Sequence, residues 1–259
     1  MEPGVLAEAF LYATVRTGPG WRHSGLRGDA VALWSRATRR RAEWREHERR
    51  CREMVAGMIG RLPRRERVVV LGSGLLRDID LRRLAEAFGS VVLVDAVHLL
   101  PARLAARRSG AETRLVDLTG VLADRAGPGP GRVDPVPACL AGGRPDLVVS
   151  ANVLSQLPMA AERRDDLLRD RPDLPAQVVR WHLDDLRRFG CAVCLLTDVS
   201  YRVVDRGGAT LEAHDLLRGQ SLPEPVAAWD WTVAPFGETA RDRAVIHRVH
   251  AYPDWAAAR

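Results

Sequence analysis

The amino-acid sequence predicts an α/β fold with a mostly parallel central sheet. Short unbroken apolar runs, of which RVVVLGSG at residues 67–74 is the first, are typical of parallel strands covered on both faces. Segments with helical spacing of apolar residues alternate with these runs. Two alternating runs near the end, residues 227–236 and 243–252, are joined by GETARD and predict an antiparallel hairpin. With 259 residues and 46% hydrophobic composition, the chain is long enough for one large domain of this class.

The first 63 residues predict a helical cap, and residues 64–259 predict the sheet domain. Residues 5–16 have helical spacing, and the GPG sequence at residues 18–20 ends that helix. A longer helix is predicted to begin with Asp29 as its N-cap and to continue through residue 59.

Strands and helices follow one another in the order of a wound sheet within residues 64–259. Asp80 is the predicted N-cap of the helix after the first strand, and Pro101 starts or interrupts the helix after the second. Residues 125–145 are so rich in Gly and Pro that we expect a loop there in place of a crossover helix. The remaining strands are predicted at residues 90–96, 112–118, 146–152 and 191–199, and a further helix at residues 172–189.

The charge distribution argues against a surface built to bind nucleic acid. The chain has a formal net charge of +6, and all 39 of its basic residues are arginine. Thirty-three acidic residues are interleaved with these arginines, so the positive excess is thinly spread. Nucleic acid is therefore the less favoured partner, and a small molecule the more favoured one.

Cysteine usage and hydropathy indicate a soluble protein of a reducing cytoplasm. The four cysteines are too few and too scattered for a disulfide framework in a chain of this length. Cys191 and Cys194 have metal-like spacing, but they lie in an apolar strand without a second Cys or His pair, so we predict core residues and no metal site. No apolar run reaches the roughly 18 residues of a membrane span.

Four polar features follow consecutive predicted strands, and the carboxyl ends of the strands are where open α/β sheets bind ligands. Each feature also has a purely structural explanation: a packing turn for the glycines, a helix N-cap for Asp95 and Asn152, and an ordinary turn for Asp117. A carboxylate at Asp95, 23 positions after Gly72, is placed to accept both hydroxyls of an adenosine ribose. The four features are the Gly72-Ser73-Gly74 turn, Asp95, Asp117 and the Ser150-Ala151-Asn152 segment.

The successive sequences LGSG, LVDA, LVDL and DLVVSANVLSQLP, with the final strand pair, resemble the motifs of class I S-adenosylmethionine-dependent methyltransferases. The resemblance covers about residues 64–255 and implies a Rossmann-like, seven-stranded sheet whose last strand is antiparallel, with S-adenosylmethionine as cofactor. It implies that the glycine turn faces the methionine part, Asp95 and the adjacent Ala96 the ribose, and Asp117 with Leu118 the adenine. Asn152 and Val153 would line the floor beneath the methionine.

Two positions depart from the family pattern. Val70 stands where an acidic residue usually precedes the glycine turn, so the amino group of the cofactor would need Asp78 or another carboxylate. Leu76 stands in place of the third glycine, and Arg77 occupies the last position of a dinucleotide-binding G-x-G-x-x-G. Two alternatives therefore stay open beside a methyltransferase with an unidentified acceptor: a methyltransferase-like binding or scaffolding protein without catalysis, and a nicotinamide-dependent oxidoreductase.

Methyl transfer from a sulfonium depends on positioning, and a base is not always needed. If one is needed, five residues after the fourth and fifth strands or in the cap are candidates, each of which also has a structural explanation. Asp198, at the end of strand five, has the best location. The five are Asp198, Tyr201, His214, Tyr12 and His23. The sequence indicates neither the acceptor nor the oligomeric state.

Overall fold

The computed structural model describes residues 4–21, 24–122 and 132–258. Its strands are β1 (Arg16–Thr17), β2 (Arg67–Leu71), β3 (Ser90–Asp95), β4 (Val97–His98), β5 (Glu112–Leu115), β6 (Leu147–Ala151), β7 (Ala192–Asp205), β8 (Thr210–Asp215), β9 (Ala227–Ala234) and β10 (Arg243–Tyr252). Its α-helices are α1 (Val5–Thr14), α2 (Leu26–Arg39), α3 (Arg41–Arg61), α4 (Leu81–Ala87), α5 (Leu100–Arg108), α6 (Val136–Leu140), α7 (Leu157–Glu162), α8 (Asp165–Leu168) and α9 (Leu174–Arg188).

The main sheet has the strand order β5-β3-β2-β6-β7-β10-β9. The first five of these strands run parallel, and β10 is antiparallel to both of its neighbours. The order reverses between β2 and β6, which is the switch point where doubly wound sheets bind ligands. The predicted α/β fold and terminal hairpin are confirmed, and the fold is Rossmann-like.

Helices cover both faces of the sheet, as the unbroken apolar strands predict. Val69 and Leu71 of β2 belong to a core shared with α6, α7 and α9. Val68 and Val70 face the opposite way and share a core with α3, α4 and α5. Val70 is fully buried there.

β8 is an eighth strand of this sheet that the sequence pattern does not predict. Leu147–Ala151 of β6 pair with Ala192–Leu196 of β7, and further along the same edge β7 pairs with β8. β8 is therefore in line with β6, beyond its carboxyl end. All six of its residues are exposed, so it lacks the alternation of apolar residues that marks a strand.

The single long helix predicted from Asp29 is wrong, because the chain forms two helices that meet at Arg40. Asp29 lies in the first turn of α2, whose N-cap is Gly25 in a left-handed conformation (φ 78°). Cys51 and Val55 of α3 are buried against β2 and β3. The cap boundary at residue 63 stays a prediction.

The loop expected at residues 125–145 is wrong in its second half, where α6 forms. Pro135 and Pro137 lie at the start of this helix, where a missing backbone N–H costs nothing, so proline-rich composition alone is misleading there. The Asp134 carboxylate accepts a hydrogen bond from the Val136 N–H at 3.0 Å. Residues 123–131 lie outside the described residues.

Among the described helices, we find no stretch both long and apolar enough to traverse a lipid bilayer. The four cysteines are unpaired. Cys194 is fully buried, and Cys191 is partly buried.

Candidate functional site

The glycine turn after β2 is pressed against the segment that follows β6. The Gly72 and Ser73 N–H groups both donate to the Val94 carbonyl, at 2.9 and 3.2 Å. Gly72 has φ 71°, and a Cβ added there would overlap the Val153 side chain, with Cγ2 only 2.9 Å away. Glycine is therefore required at position 72 for both its conformation and its close approach.

Leu76 occupies the place of the third family glycine and adopts the glycine-like conformation, with φ 58°. A left-handed backbone costs a non-glycine residue about 1 kcal/mol. Leu76 packs against the core below α4, and this apolar contact offsets the cost. The backbone at this position therefore has the conformation that a glycine would adopt, although the residue is leucine.

Asp95 connects the end of β3 to the glycine turn. Its Oδ2 accepts from the Gly74 N–H at 2.8 Å, and its Oδ1 accepts from the Val97 N–H at 3.1 Å. Helix α5 begins only at Leu100, so Asp95 is not its N-cap. Burial raises the pKa of Asp95, against the effect of these hydrogen bonds. Ala96, which follows it, is partly exposed beside β4.

Asp117 closes the loop that follows β5. Its Oδ1 accepts from the Thr119 N–H at 2.8 Å and from the Thr119 hydroxyl at 2.5 Å, and its Oδ2 accepts from the Leu122 N–H at 2.7 Å. Leu118 is buried in the core. These contacts are those of a turn aspartate, and contact with an adenine stays a prediction.

Asn152 follows β6 in a left-handed conformation (φ 50°), which asparagine tolerates better than most residues. It is not a helix N-cap, because its Oδ1 accepts no backbone N–H from the turn that follows. Its Nδ2 donates to Asp78 Oδ2 at 2.9 Å. That bond fixes the orientation of the amide, since the reversed amide would place two acceptors together. Asn152 Oδ1 is consequently buried, with no hydrogen-bond partner among the described residues, and the same is true of Ser73 Oγ.

A mostly buried cluster beside Asn152 consists of the buried His47 and Cys51 and the partly exposed Asp78, whose ligand-type atoms lie within 4.8 Å of one another. The Trp229 indole, which can only donate, gives its N–H to His47 Nδ1 at 3.1 Å. The His47 proton is therefore on Nε2, which lies 3.5 Å from Asp78 Oδ1. A metal would need a lone pair on that nitrogen.

The Asn152 carboxamide also fills the space between the three groups. Its Nδ2 lies 3.4 Å from His47 Nε2 and 3.6 Å from Cys51 Sγ. Burial raises the pKa of the Cys51 thiol well above its usual value, which keeps it protonated. The cluster is a hydrogen-bonded network, and despite its own burial the pKa of Asp78 is lowered by His47 and Asn152. His47 and Cys51 were not predicted from the sequence, because they have no spacing relation to the strand-end motifs.

Asp198 forms a pair with His247, a residue that the sequence pattern does not predict at the site. His247 Nδ1 lies 2.6 Å from Asp198 Oδ2, and the Ser155 hydroxyl donates to Asp198 Oδ1. Burial alone would raise the pKa of Asp198, but these hydrogen bonds hold it below its usual value. The side chains of His247 and Asp198 are 17% and 9% exposed, so the pair lies at the margin of the core.

Two further candidates from the sequence lie beside this pair, in one cross-strand row. Tyr201 of β7 is opposite both His214 of β8 and His247 of β10, and His247 is opposite Trp231 of β9. The Tyr201 ring stacks on His214 at 4.6 Å and on His247 at 5.4 Å, and Trp231 meets His247 edge-on at 5.8 Å. Trp231 also stacks on His47 at 3.9 Å, which joins this aromatic row to the buried cluster.

Tyr12, one of the two candidates from the cap, is not brought to this region. Tyr12 is exposed on α1 and lies under the Arg27 guanidinium, 4.6 Å from its ring centroid. His23 lies outside the described residues.

Comparison with known proteins finds solved structures that are similar to this chain. One of them is a Burkholderia thailandensis 1,6-didemethyltoxoflavin-N1-methyltransferase with bound 1,6-didemethyltoxoflavin and S-adenosylhomocysteine, 15% identical, with a TM-score of 0.43 and 91% of each chain covered. No protein-family model and no curated protein matches the sequence. The fold is Rossmann-like. The antiparallel β10, the last strand of the chain, agrees with the antiparallel last strand that the sequence motifs imply.

Proposed function

We propose that this protein is an S-adenosylmethionine-dependent methyltransferase acting on a small molecule. The observation that carries the proposal is the pair of buried polar atoms without partners, Ser73 Oγ and Asn152 Oδ1, at the carboxyl ends of β2 and β6. An unsatisfied buried polar atom costs about 1–3 kcal/mol, so two of them at the switch point indicate a polar ligand. Gly72, where an added Cβ would overlap Val153, lets the segment after β6 pack directly against the turn that carries Ser73.

The residues around these atoms fit the parts of S-adenosylmethionine. Asp95, oriented by the Gly74 N–H, keeps free lone pairs on its carboxylate for the ribose hydroxyls. Asp78 supplies the negative charge that Val70 cannot, and its side chain remains 28% exposed beside Asn152. We assign Asp78 to the ammonium of the methionine part, in place of the usual acid before the glycine turn.

The bound cofactor would supply a methyl group on a positively charged sulfur. The contribution of the chain is to hold the acceptor in line with that group and to exclude water. The interleaved arginines and acids favour a small molecule over a nucleic acid as the acceptor. A reducing compartment agrees with the four unpaired cysteines.

Isothermal calorimetry with S-adenosylmethionine and S-adenosylhomocysteine tests the binding step. We expect micromolar binding by the parent protein and at least a tenfold loss in Asp95→Ala. Asp80→Ala is the matched control, because Asp80 caps α4 outside the site. Heat below detection with both ligands in the folded protein rejects the proposal.

The two alternatives give different results. A nicotinamide-dependent oxidoreductase binds NADH, which fluorescence titration detects, and the broken glycine fingerprint predicts no such binding. A methyltransferase-like scaffold binds S-adenosylmethionine without using it. Transfer of tritium from methyl-labelled S-adenosylmethionine to the small-molecule fraction of a deproteinised cell extract separates this case from an enzyme.

A further inference from the structure

A histidine and an aspartate lie together just beyond the parallel part of the sheet. Leu196 is the last β7 residue paired with β6, and Asp198 comes two positions later. His247 reaches Asp198 from β10, whose register with β7 shifts at residues 248 and 249. The pair therefore lies at the same edge of the sheet as the proposed cofactor site.

The hydrogen bonds of Asp198 determine which nitrogen of His247 carries the proton. An ionised carboxylate only accepts, and the lowered pKa of Asp198 keeps it ionised at neutral pH. The nitrogen 2.6 Å from Oδ2 is Nδ1, so Nδ1 is the N–H of the neutral ring. His247 Nε2 is then left with a lone pair and has no hydrogen bond to any residue that the structure describes.

The neighbours of His247 fix the plane of its ring. Tyr201 lies nearly parallel to it, at 21°, and Trp231 stands at 67° to it. Both contacts come from residues directly opposite in the strand register. The ring is mostly covered but still 17% exposed, so a small group can reach it.

Two chains of contacts connect this pair to the cofactor side of the site. Ser155, which donates to Asp198, follows Asn152 by three residues in the 3-10 turn after β6. Trp231, at the edge of His247, stacks on His47, which adjoins the Asn152 carboxamide. Strand β7 continues beyond the end of β6 and pairs there with β8. The β7–β8 hairpin therefore borders this side of the sheet edge.

We propose that His247 is a catalytic base, which takes a proton through Nε2 from an acceptor that presents a hydroxyl or an N–H group. This inference rests on the proposed methyltransferase function. Asp198 and Ser155 are positioning residues, because they act through the imidazole. If the reacting atom of the acceptor carried no proton, a base at this position would have no role in the reaction.

In this step, methyl transfer to the acceptor is accompanied by the loss of one acceptor proton. The acceptor oxygen or nitrogen forms a bond to the methyl carbon while the carbon–sulfur bond breaks, and the sulfur keeps that electron pair. The acceptor proton moves to His247 Nε2, which gives an imidazolium next to the Asp198 carboxylate, and it then leaves to solvent. The sulfonium charge is thus exchanged for a released proton.

Nitrogen-15 NMR of ring-labelled histidine tests the arrangement without an acceptor, with His247→Gln to assign the resonances. At a pH where the ring is neutral, we expect the proton on Nδ1 in the parent protein. In Asp198→Asn, the Ser155 hydroxyl holds the amide oxygen, so the amide nitrogen donates to His247 and the proton moves to Nε2. A proton on Nε2 in the parent, or the same tautomer in both proteins, overturns the proposal.

Binding and transfer assays separate this inference from the proposed function. His247→Gln and Asp198→Asn should bind S-adenosylhomocysteine within about twofold of the parent and lose methyl transfer by about 10²–10⁴-fold. His250→Gln, the same exchange three residues further along β10, where the imidazole contacts Tyr252 and not Asp198, should keep both. Parental transfer in His247→Gln refutes the base alone, whereas failure of the parent to bind S-adenosylhomocysteine refutes the function itself.

Discussion

Asn152 donates a hydrogen bond from Nδ2 to Asp78 Oδ2 at 2.9 Å, and this contact joins the end of β6 to the segment after the glycine turn. It leaves the Asn152 carbonyl oxygen buried without a partner, and it leaves part of the Asp78 carboxylate exposed. A carboxylate thus stands at the site although the position before the glycine turn is occupied by Val70.

Asp78→Asn should weaken binding of S-adenosylhomocysteine about tenfold and leave binding of methylthioadenosine unchanged. The second ligand has the same nucleoside but no amino-acid part, so it does not need a charge for an ammonium. Asp95→Asn, which alters the ribose contact, should weaken both ligands. Calorimetry with both ligands on both variants measures this, and equal losses in Asp78→Asn would remove Asp78 from the ammonium site.

Gly72→Ala should destabilise the fold by about 1–3 kcal/mol, because the new Cβ overlaps Val153 in a left-handed backbone. Chemical denaturation measures this change. Gly57→Ala is the control, since Gly57 lies inside α3 with nothing within 4 Å of the added carbon, and it should gain about 0.5–1 kcal/mol. A stable Gly72→Ala protein would contradict the close packing of the turn.

His182 should contribute a loss of stability of about 2 kcal/mol between pH 7 and pH 5. Burial lowers the pKa of His182 to about 4, below the value of about 6.5 in an unfolded chain. The unfolded state therefore binds more protons in this window, and stability is lost as the pH falls.

The comparison that checks this is urea unfolding of the parent protein and His182→Gln at both pH values. The pKa values of Asp78 and Asp198 are lowered in the folded protein. Their contribution to stability is therefore lost only at pH values below the pKa of a carboxyl group in an unfolded chain, which lies outside this window. The variant should therefore have a clearly smaller difference between the two pH values than the parent. Equal differences would show that His182 is not the group responsible.

Added Co²⁺ should give no thiolate charge-transfer absorption with the folded protein. The His47 lone pair is taken by Trp229, and the Asn152 carboxamide fills the centre of the cluster. Cys51→Ser is the control that separates this thiol from the other three. An absorption band that disappears in Cys51→Ser would show that the network yields to a metal.

The amino-acid sequence by itself predicts the strands, the glycine turn and the antiparallel hairpin, because each depends on neighbours within a few residues. The elements that were predicted wrongly, or not at all, also have local causes. Prolines are allowed in the first turn of α6, and β8 has no apolar face. Leu76 shows that a side chain can adopt a glycine conformation when packing offsets the strain.

Only the tertiary structure decides the partners of the polar residues. His47, Asp78 and Asn152 come from a cap helix, a loop and a strand end, and His247 meets Asp198 through the pairing of β10 with β7. Such contacts depend on strand register and on how α3 packs, which no local pattern encodes. The sequence thus determined where polar groups follow the strands, and the packing of the sheet decided which of them are paired and which stay free for a ligand.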